Sequence, residues 1–297
     1  MYKKILIIGC GLIGSSILRI AIKKKLSKKI FVFEKNKKYR NHIKKINKKI
    51  ILIKKLDKNI QEMNFVIIAT PMSEYKKIIP KLNIYLKNNA LITDIGSTRT
   101  NVQKLIKEKL SKKLSWIMSH PIAGSEVSGP QHGNKNLFVN KWCVVIKDKN
   151  KDKLKKVISF WKKTGSKIIL MNSKDHDRVF SITSHLPHLI AYNLIKTAQD
   201  FQKKDKKNLI KFSAGGLRDF SRIAASNEIM WRDIFFNNKK NMISAINKFS
   251  KNLNSFKKNI QNLEDKDLTK KLASSKKVRK QIIQLKQDIA KPDFGRE

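Results

Sequence analysis

Reactive side chains fall in a few short stretches of this sequence. Gly9-Cys10-Gly11-Leu12-Ile13-Gly14 follows an apolar burst at residues 5–8 and opens a helical pattern at 15–22. It is a GxGxxG turn between strand and helix. Gly9 permits the tight turn, Gly11 lets the backbone approach a pyrophosphate, and Gly14 lets helix and strand pack closely, with Leu12 and Ile13 at the helix N-terminus facing the anion. A second burst, at 30–33, ends at Glu34, 20 residues after Gly14, where an acid hydrogen-bonds the adenosine ribose. A carboxylate there repels a 2′-phosphate. NAD is therefore the expected cofactor and NADP the lesser candidate, although Lys35, Lys37 and Arg40 follow closely; a surface acid at a strand end is the plainer reading of Glu34. Thr70-Pro71, after the burst at 65–69, is expected either to lie against the same cofactor or simply to turn the strand end.

Other stretches carry groups that could handle protons and anions. Ser97 lies in Thr93-Asp94-Ile95-Gly96-Ser97-Thr98, and His120 in Ser119-His120-Pro121-Ile122-Ala123-Gly124-Ser125-Glu126. Both fall at strand ends, where open α/β sheets bind ligands. Histidine, with an unperturbed pKa of ~6.5, can accept or give a proton near neutral pH. His185 and His188 are three residues apart and would share one helix face. No carboxylate–His motif nearby completes a metal site, so no metal is expected. Arginine is scarce, nine of 67 basic residues, yet Arg218, Arg222 and Arg232 fall within 15 residues. Planar, bidentate donors are the functional reading of that cluster; ion pairs with Asp219 or Asp233 are the plainer one.

Positioning these groups is the task of two unlike halves. Apolar bursts at 5–8, 30–33, 50–53, 65–69, 90–93, 116–119 and 142–146, with a weaker one at 167–171, alternate with Lys-rich helical patterns. Such runs read as strands covered on both faces, typical of a parallel sheet. Residues 1–172 are thus expected to form a Rossmann-like, doubly wound α/β dinucleotide-binding domain. Residues 173–297 show no further bursts and are expected to be all-α. Within them, 175–202 reads as a helix interrupted near Pro187. Ile243, Ile246, Phe249, Leu253, Phe256, Ile260 and Leu263 make one apolar stripe, either a core face or a dimer face. The charged tail, 276–297, is expected to fray.

Composition excludes several classes. With 40% apolar residues in 297, the chain is no disulfide-stapled miniprotein, collagen or wholly disordered protein. Cys10 and Cys143 stand in no metal-ligand spacing and point to a reducing compartment. No window approaches the roughly 18 apolar residues of a membrane span, and the N-terminal run is too short for a secretion signal. A cytoplasmic protein without membrane association is expected. The formal charge is +45, but 58 of the 67 basic residues are Lys, spread along the chain among many Ile and Asn. That pattern fits an A/T-rich coding bias better than a selected patch, so no specific nucleic-acid partner is expected.

In order, GLIGSS, DIGST, HPIAGSE, SHLPH, RDFSRIA and MWRDIF resemble the prephenate/arogenate (cyclohexadienyl) dehydrogenase family, from Gly9 to about Phe235. The resemblance implies a Rossmann-like domain followed by a helical dimerisation domain, and hence a homodimer. It implies NAD-dependent oxidative decarboxylation of prephenate to 4-hydroxyphenylpyruvate, of arogenate to tyrosine, or of both. His120 takes the catalytic position, accepting the proton of the substrate's 4-hydroxyl while hydride leaves the same ring carbon. Ser97, beside the nicotinamide, orients the imidazole, or else caps the following helix. Arg222 anchors a carboxylate of the small dicarboxylate substrate.

His188 and His185 line the pocket by the same resemblance, His188 more directly, or else pack helices. Glu126 and Asp219 form an ionic network at the pocket mouth, or else are solvated loop acids. Trp231 walls the pocket or belongs to the core. His132 and His176 receive no role and read as loop and helix-start residues. Two positions depart from the family: Thr98-Arg99 stands where a Lys is common, and Glu34 where Asp is common. Neither a chorismate mutase domain nor a regulatory ACT domain is expected, nor a tyrosine site outside the catalytic pocket. Another NAD(P)-dependent reductase, or a dinucleotide-binding module with polyanion affinity, would explain the glycine loop. Neither explains His120 and the arginine cluster.

Overall fold

Runs of Ile, Leu and Val with no polar alternation can be satisfied only by strands covered on both faces. The computed structural model, which describes residues 2–205 and 209–285, contains such strands. β1 (Tyr2–Ile8), α1 (Leu12–Lys23), β2 (Ser27–Phe33), α2 (Lys37–Ile46), β3 (Ile50–Ile53), β4 (Phe65–Ile68), α3 (Tyr75–Tyr85), β5 (Leu91–Asp94), α4 (Thr100–Lys109) and β6 (Ser115–Trp116) alternate along the chain. The strands form a parallel sheet in the order β3-β2-β1-β4-β5-β6. Successive residues face opposite sides. Leu6, Ile8, Val66 and Ile68 pack with Ile79 and Leu82 of α3, while Ile5, Ile7, Phe65 and Ile67 pack with Ile17 and Leu18 of α1. The strand order reverses between β1 and β4, which opens a crevice at their carboxyl ends.

The burst at 116–119 is not one strand. β6 ends at Trp116, and β7 (Ser119–Pro121) starts a second sheet, antiparallel to β8 (Trp142–Ile146). After α5 (Lys151–Lys163), β9 (Lys167–Met171) returns parallel to β8. At the junction Ser119 Oγ donates to the Asp94 carbonyl of β5 at 2.6 Å and accepts from Trp161 Nε1 of α5 at 2.9 Å, which ties the start of the second sheet to the end of the first.

The same corner holds a buried ion pair. Asp94 and Arg99 have no solvent exposure, and the guanidinium meets both carboxylate oxygens at 2.9 and 3.1 Å. Tyr75 Oη, Trp116 Nε1 and the Gly96 amide also donate to Asp94. Arg99 donates onward to the carbonyls of Thr98 and Ser119. These added bonds offset the desolvation of the two charges. A Cβ on Gly96 would lie 2.2 Å from the Arg99 guanidinium, so the turn between the pair needs glycine.

The second half is helical: α6 (Ser173–Phe180), α7 (Leu186–Asp205), α8 (Gly215–Ala224), α9 (Glu228–Asn237), α10 (Lys239–Gln261) and α11 (Asp265–Gln284). The interruption expected near Pro187 is a π-helical turn over Ser181–His185, and α6 runs through it into α7. The wider turn accommodates a proline that lacks the N–H a regular helix would use. Most of the stripe residues on and after α10 are not core. Ile243, Leu253, Ile260 and Leu263 are 47%, 56%, 62% and 87% exposed, while α10 buries Met242, Ala245 and Asn259 instead. Of the charged tail, α11 continues to Gln284, and residues 286–297 lie outside the described residues. Among the described residues no helix is long and apolar enough to cross a membrane.

Removing one member of the Asp94–Arg99 pair leaves a charge buried and unpaired. Asp94→Ala is expected to destabilise the chain by about 3–5 kcal/mol, read as a lowered urea midpoint. A midpoint unchanged from wild type would contradict this account of the corner.

Candidate active site

The glycine loop leaves β1 at Ile8. Gly9 has φ +85°, and a Cβ there would lie 2.6 Å from the Ala69 carbonyl; one on Gly14 would lie 2.2 Å from the Gly9 carbonyl. Both positions therefore require glycine for the fold itself. Gly11 differs: a Cβ there would meet nothing within 4 Å, so its backbone faces open space. Gly11 caps α1 without a side-chain hydrogen bond, which leaves first-turn amides of the Leu12–Ile13 region available to an anion.

Glu34 follows β2 beside this loop. Its carboxylate accepts from the Cys10 amide at 2.7 Å and the Asn36 amide at 2.8 Å. Arg40 donates to the carbonyls of Glu34 and Lys35 at 3.0 and 2.6 Å, and Lys35 pairs with Glu74. Thr70 borders the loop, its methyl 2.7 Å from where a Gly9 Cβ would be, and its Oγ1 is buried without a protein partner. Pro71 is exposed and leads into a 3-10 turn, Met72–Glu74. An open Gly11 and an unpartnered Thr70 hydroxyl suit a dinucleotide lying along this edge.

His120 is the middle residue of β7 and is 9% exposed. Its Nδ1 lies 2.8 Å from His176 Nε2, and His176 Nδ1 lies 2.9 Å from Asp177 Oδ1. Asp177 also accepts from the Arg99 amide at Oδ1 (2.7 Å) and from the Thr100 amide at Oδ2 (2.8 Å). Phe180 packs on both imidazoles, 5.1 Å from His120 and 4.5 Å from His176 between ring centres. Burial, reinforced by His176 and Arg99, pushes His120 well below the usual histidine range. Burial also lowers His176, against the pull of Asp177. Burial opposes the charge on Asp177, but hydrogen bonds from His176 and Thr100 hold its carboxyl below the usual range. His120 and His176 are therefore neutral at pH 7 and Asp177 is ionised.

Among the described residues no hydrogen bond joins the Ser97 hydroxyl to His120, whose imidazole is held by His176. Nor does Ser97 cap α4, whose first amides are met by Asp177. His176 is no idle helix-start residue but is fully buried against His120. The pairing joins residues 56 apart, and a helix-start context marked by the Asn172 cap hides it. The available signal was a His-Asp dipeptide in a chain with only six histidines. His132 ends a short 3-10 turn, Pro130–His132.

The helical domain supplies the remaining groups. His185 is buried, accepts from Asn238 Nδ2 at 3.2 Å, and leaves Nε2 without a partner. Burial, with the neighbouring His176, pushes its pKa down to about 4. His188 donates from Nδ1 to the Ser184 carbonyl at 2.9 Å and stacks on Trp231 with ring centres 3.8 Å apart. Trp231 is buried, yet its Nε1 has no partner. It therefore belongs to the core while holding a spare donor.

Arg222 of α8 lies 3.7 Å from Glu126 and 4.0 Å from Asp219, and its Nε is buried and unpartnered. The structure thus gathers Glu126, Arg222 and Asp219 across the two halves, with contacts too long for tight pairing. Arg232 instead pairs with Asp233 at 2.7 Å, and Asp233 accepts from the Ser73 amide at 3.0 Å. Asp233, held by Arg232, thereby joins α9 to the turn after β4. The loop after β7 also reaches the glycine loop, since a Cβ on Gly124 would lie 3.8 Å from the Ile13 side chain.

These features define a two-part α/β nucleotide-binding protein whose helical half contributes polar groups to one edge of the sheet. Residues 20–170 match the family model for the prephenate dehydrogenase nucleotide-binding domain, and residues 172–274 that for the prephenate dehydrogenase dimerization domain. A cyclohexadienyl dehydrogenase of Zymomonas mobilis is 29% identical over 281 residues, covering 94% of this chain and 96% of that protein. A prephenate dehydrogenase of Lactococcus lactis is 32% identical over 283 residues, covering 93% of this chain and 77% of that protein. The crystal structure of prephenate dehydrogenase from A. aeolicus, in complex with hydroxyphenyl propionate and NAD+, superposes with a TM-score of 0.87 at 30% identity, covering 95% of this chain and 99% of that one. The chain belongs to the prephenate dehydrogenase family.

The glycine geometry separates folding from binding. Gly11→Val is expected to keep the wild-type melting temperature and to weaken dinucleotide binding in a calorimetric titration. Gly14→Ala is expected to destabilise the fold itself by about 1–3 kcal/mol through overpacking. Unimpaired binding by Gly11→Val would remove that edge from the nucleotide site.

Proposed function

We propose that this chain catalyses the NAD-dependent oxidative decarboxylation of prephenate, arogenate or both. The observation that carries the reading is His120: a neutral imidazole in a strand beside the crevice, one ring nitrogen engaged by protein and the other left for a ligand. Residues Gly9 to Gly14 would hold the dinucleotide pyrophosphate, Glu34 the adenosine ribose, and Thr70-Pro71 would flank it. Ser97, in the loop after β5, is assigned to the nicotinamide side rather than to the imidazole. Bound there, NAD+ supplies the acceptor for a hydride.

His120 Nε2 accepts the proton of the substrate's 4-hydroxyl. The electron pair so released expels hydride from the ring carbon that carries the oxygen. The ring carboxylate departs as CO2, the electrons of its bond complete the aromatic ring, and the oxygen takes its proton back from His120. Aromatisation drives the second step, so the protein's task is to polarise and position. The unpartnered, buried donors of the helical half suit an anionic substrate: Arg222 Nε, Trp231 Nε1 and His185 Nε2. Arg222 anchors a carboxylate, His188 and Trp231 wall the ring, and Glu126 and Asp219 hold the guanidinium until substrate displaces them. Residues 1–172 thus serve the dinucleotide, and the helical domain from 173 onward serves the substrate and a second subunit.

The matched dimerization domain and the exposed stripe on α10 support a homodimer. Leu253→Glu places a charge in that stripe and is expected to give monomers in light scattering, where wild type gives dimers. A wild-type monomer at micromolar concentration would overturn the dimer.

Purified protein with NAD+ and prephenate or arogenate is expected to form NADH, followed by absorbance, with slower turnover of NADP+. No turnover of either substrate by protein that binds NAD+ would overturn the reading. His120→Asn is expected to lower kcat about 100-fold or more with little change in KM. Arg222→Ala is expected to act mainly on KM, by about 2–5 kcal/mol if the substrate carboxylate is left buried and unpaired.

A further inference from the structure

We propose that His176 and Asp177 are positioning residues that fix the tautomer of His120, holding its proton on Nδ1 so that Nε2 presents a bare lone pair to the substrate. The inference rests on the reading of His120 as the base. Donors and acceptors alternate along the chain of contacts in one direction only. The Asp177 carboxylate accepts from the amides of Arg99 and Thr100, from the Thr100 hydroxyl and from His176 Nδ1, so every group around it can act as a donor. An ionised carboxylate has no proton to give, so His176 Nδ1 must donate. A neutral imidazole carries one proton, and His176 Nε2 is therefore an acceptor. At 2.8 Å it faces His120 Nδ1, and two lone pairs cannot face each other at that distance. His120 Nδ1 must carry the hydrogen, which leaves Nε2 as the basic nitrogen.

Surroundings leave little room for the inverted arrangement. That arrangement needs a second proton on His176 or a proton on Asp177. His176 is fully buried, and the charged neighbours acting on it are Asp177, Asp94 and Arg99. His120 in turn faces His176, Arg99 and His185, with Phe180 covering its edge. Arg99 is itself neutralised by Asp94. The chain also serves the turnover step. When Nε2 takes the hydroxyl proton, the imidazolium keeps its Nδ1–H on His176, and the charge sits at the head of a hydrogen-bonded line that ends in a carboxylate.

Asp177 also meets the first amides of α4, so loss of activity alone would not separate positioning from folding. The first measurement is on wild type. Long-range proton–nitrogen imidazole spectra of 15N-histidine-labelled protein, assigned with His120→Asn and His176→Gln, should show Nδ1–H with bare Nε2 for both His120 and His176 near pH 7. A proton on Nε2 of His120 overturns the proposal.

Asp177→Asn can offer an amide N–H to His176, which would reverse both tautomers. Its kcat is expected to fall about 100-fold or more while both KM values stay within about threefold, the pattern of an interaction made in the transition state. His176→Gln keeps an oxygen able to accept from His120 and should retain at least about tenfold more kcat than His176→Phe. Wild-type kcat in Asp177→Asn, or equal kcat in the Gln and Phe variants, overturns the relay. Should Asp177→Asn fail to fold, the wild-type spectra and the His176 pair decide. If His120→Asn is inactive while Asp177→Asn is normal, the relay alone fails. If His120→Asn keeps wild-type kcat, it is the base assignment beneath it that fails.

Discussion

At the end of β5 a carboxylate and a guanidinium five residues apart are closed off from water, and the site is arranged around them. Asp94 gathers Tyr75 from α3, Trp116 from β6 and the amide of Gly96. Arg99 reaches the carbonyl of Ser119, the residue before His120. Its own amide is held by Asp177 of the helical half. One buried pair thereby sets the end of the first sheet, the start of the second and the docking of the second domain. A group buried this deeply tolerates little displacement, because any shift strands a charge or a donor in an apolar medium.

Arginine use across the chain follows the same logic. Lysine outnumbers arginine 58 to nine, yet arginine stands where a planar fork has to meet fixed oxygens. Arg99 meets both oxygens of Asp94 through two nitrogens, and Arg232 puts two nitrogens on Asp233. Lysine, with a single mobile charge, cannot substitute for this geometry. Arg222 stands apart from these. Its contacts are long and one buried nitrogen is without a partner.

Much of this was legible in residue order, for physical reasons that differ from place to place. The glycine loop was legible because sterics at Gly9 and Gly14 admit no side chain. The doubly wound sheet was legible because apolar runs of four or five residues have few other uses. The split at 117–118 was not, since a run that changes sheets has the same composition as one that does not. The partner of His120 was hidden for the same reason. Local pattern assigns His176 to a helix start, and only the fold brings it to β7.

The carboxylate of Asp177 has a mechanical consequence. It belongs to the helical half, but it grips the amides of Arg99 and Thr100 in the other half and aligns the pair of imidazoles. Moving the helical part as a rigid body would therefore undo the alignment of the two imidazoles along with the joint. The other cross-contact, Glu126 with Arg222 at 3.7 Å, is looser. One acidic residue thus makes the geometry of His120 and His176 depend on how the two parts are docked.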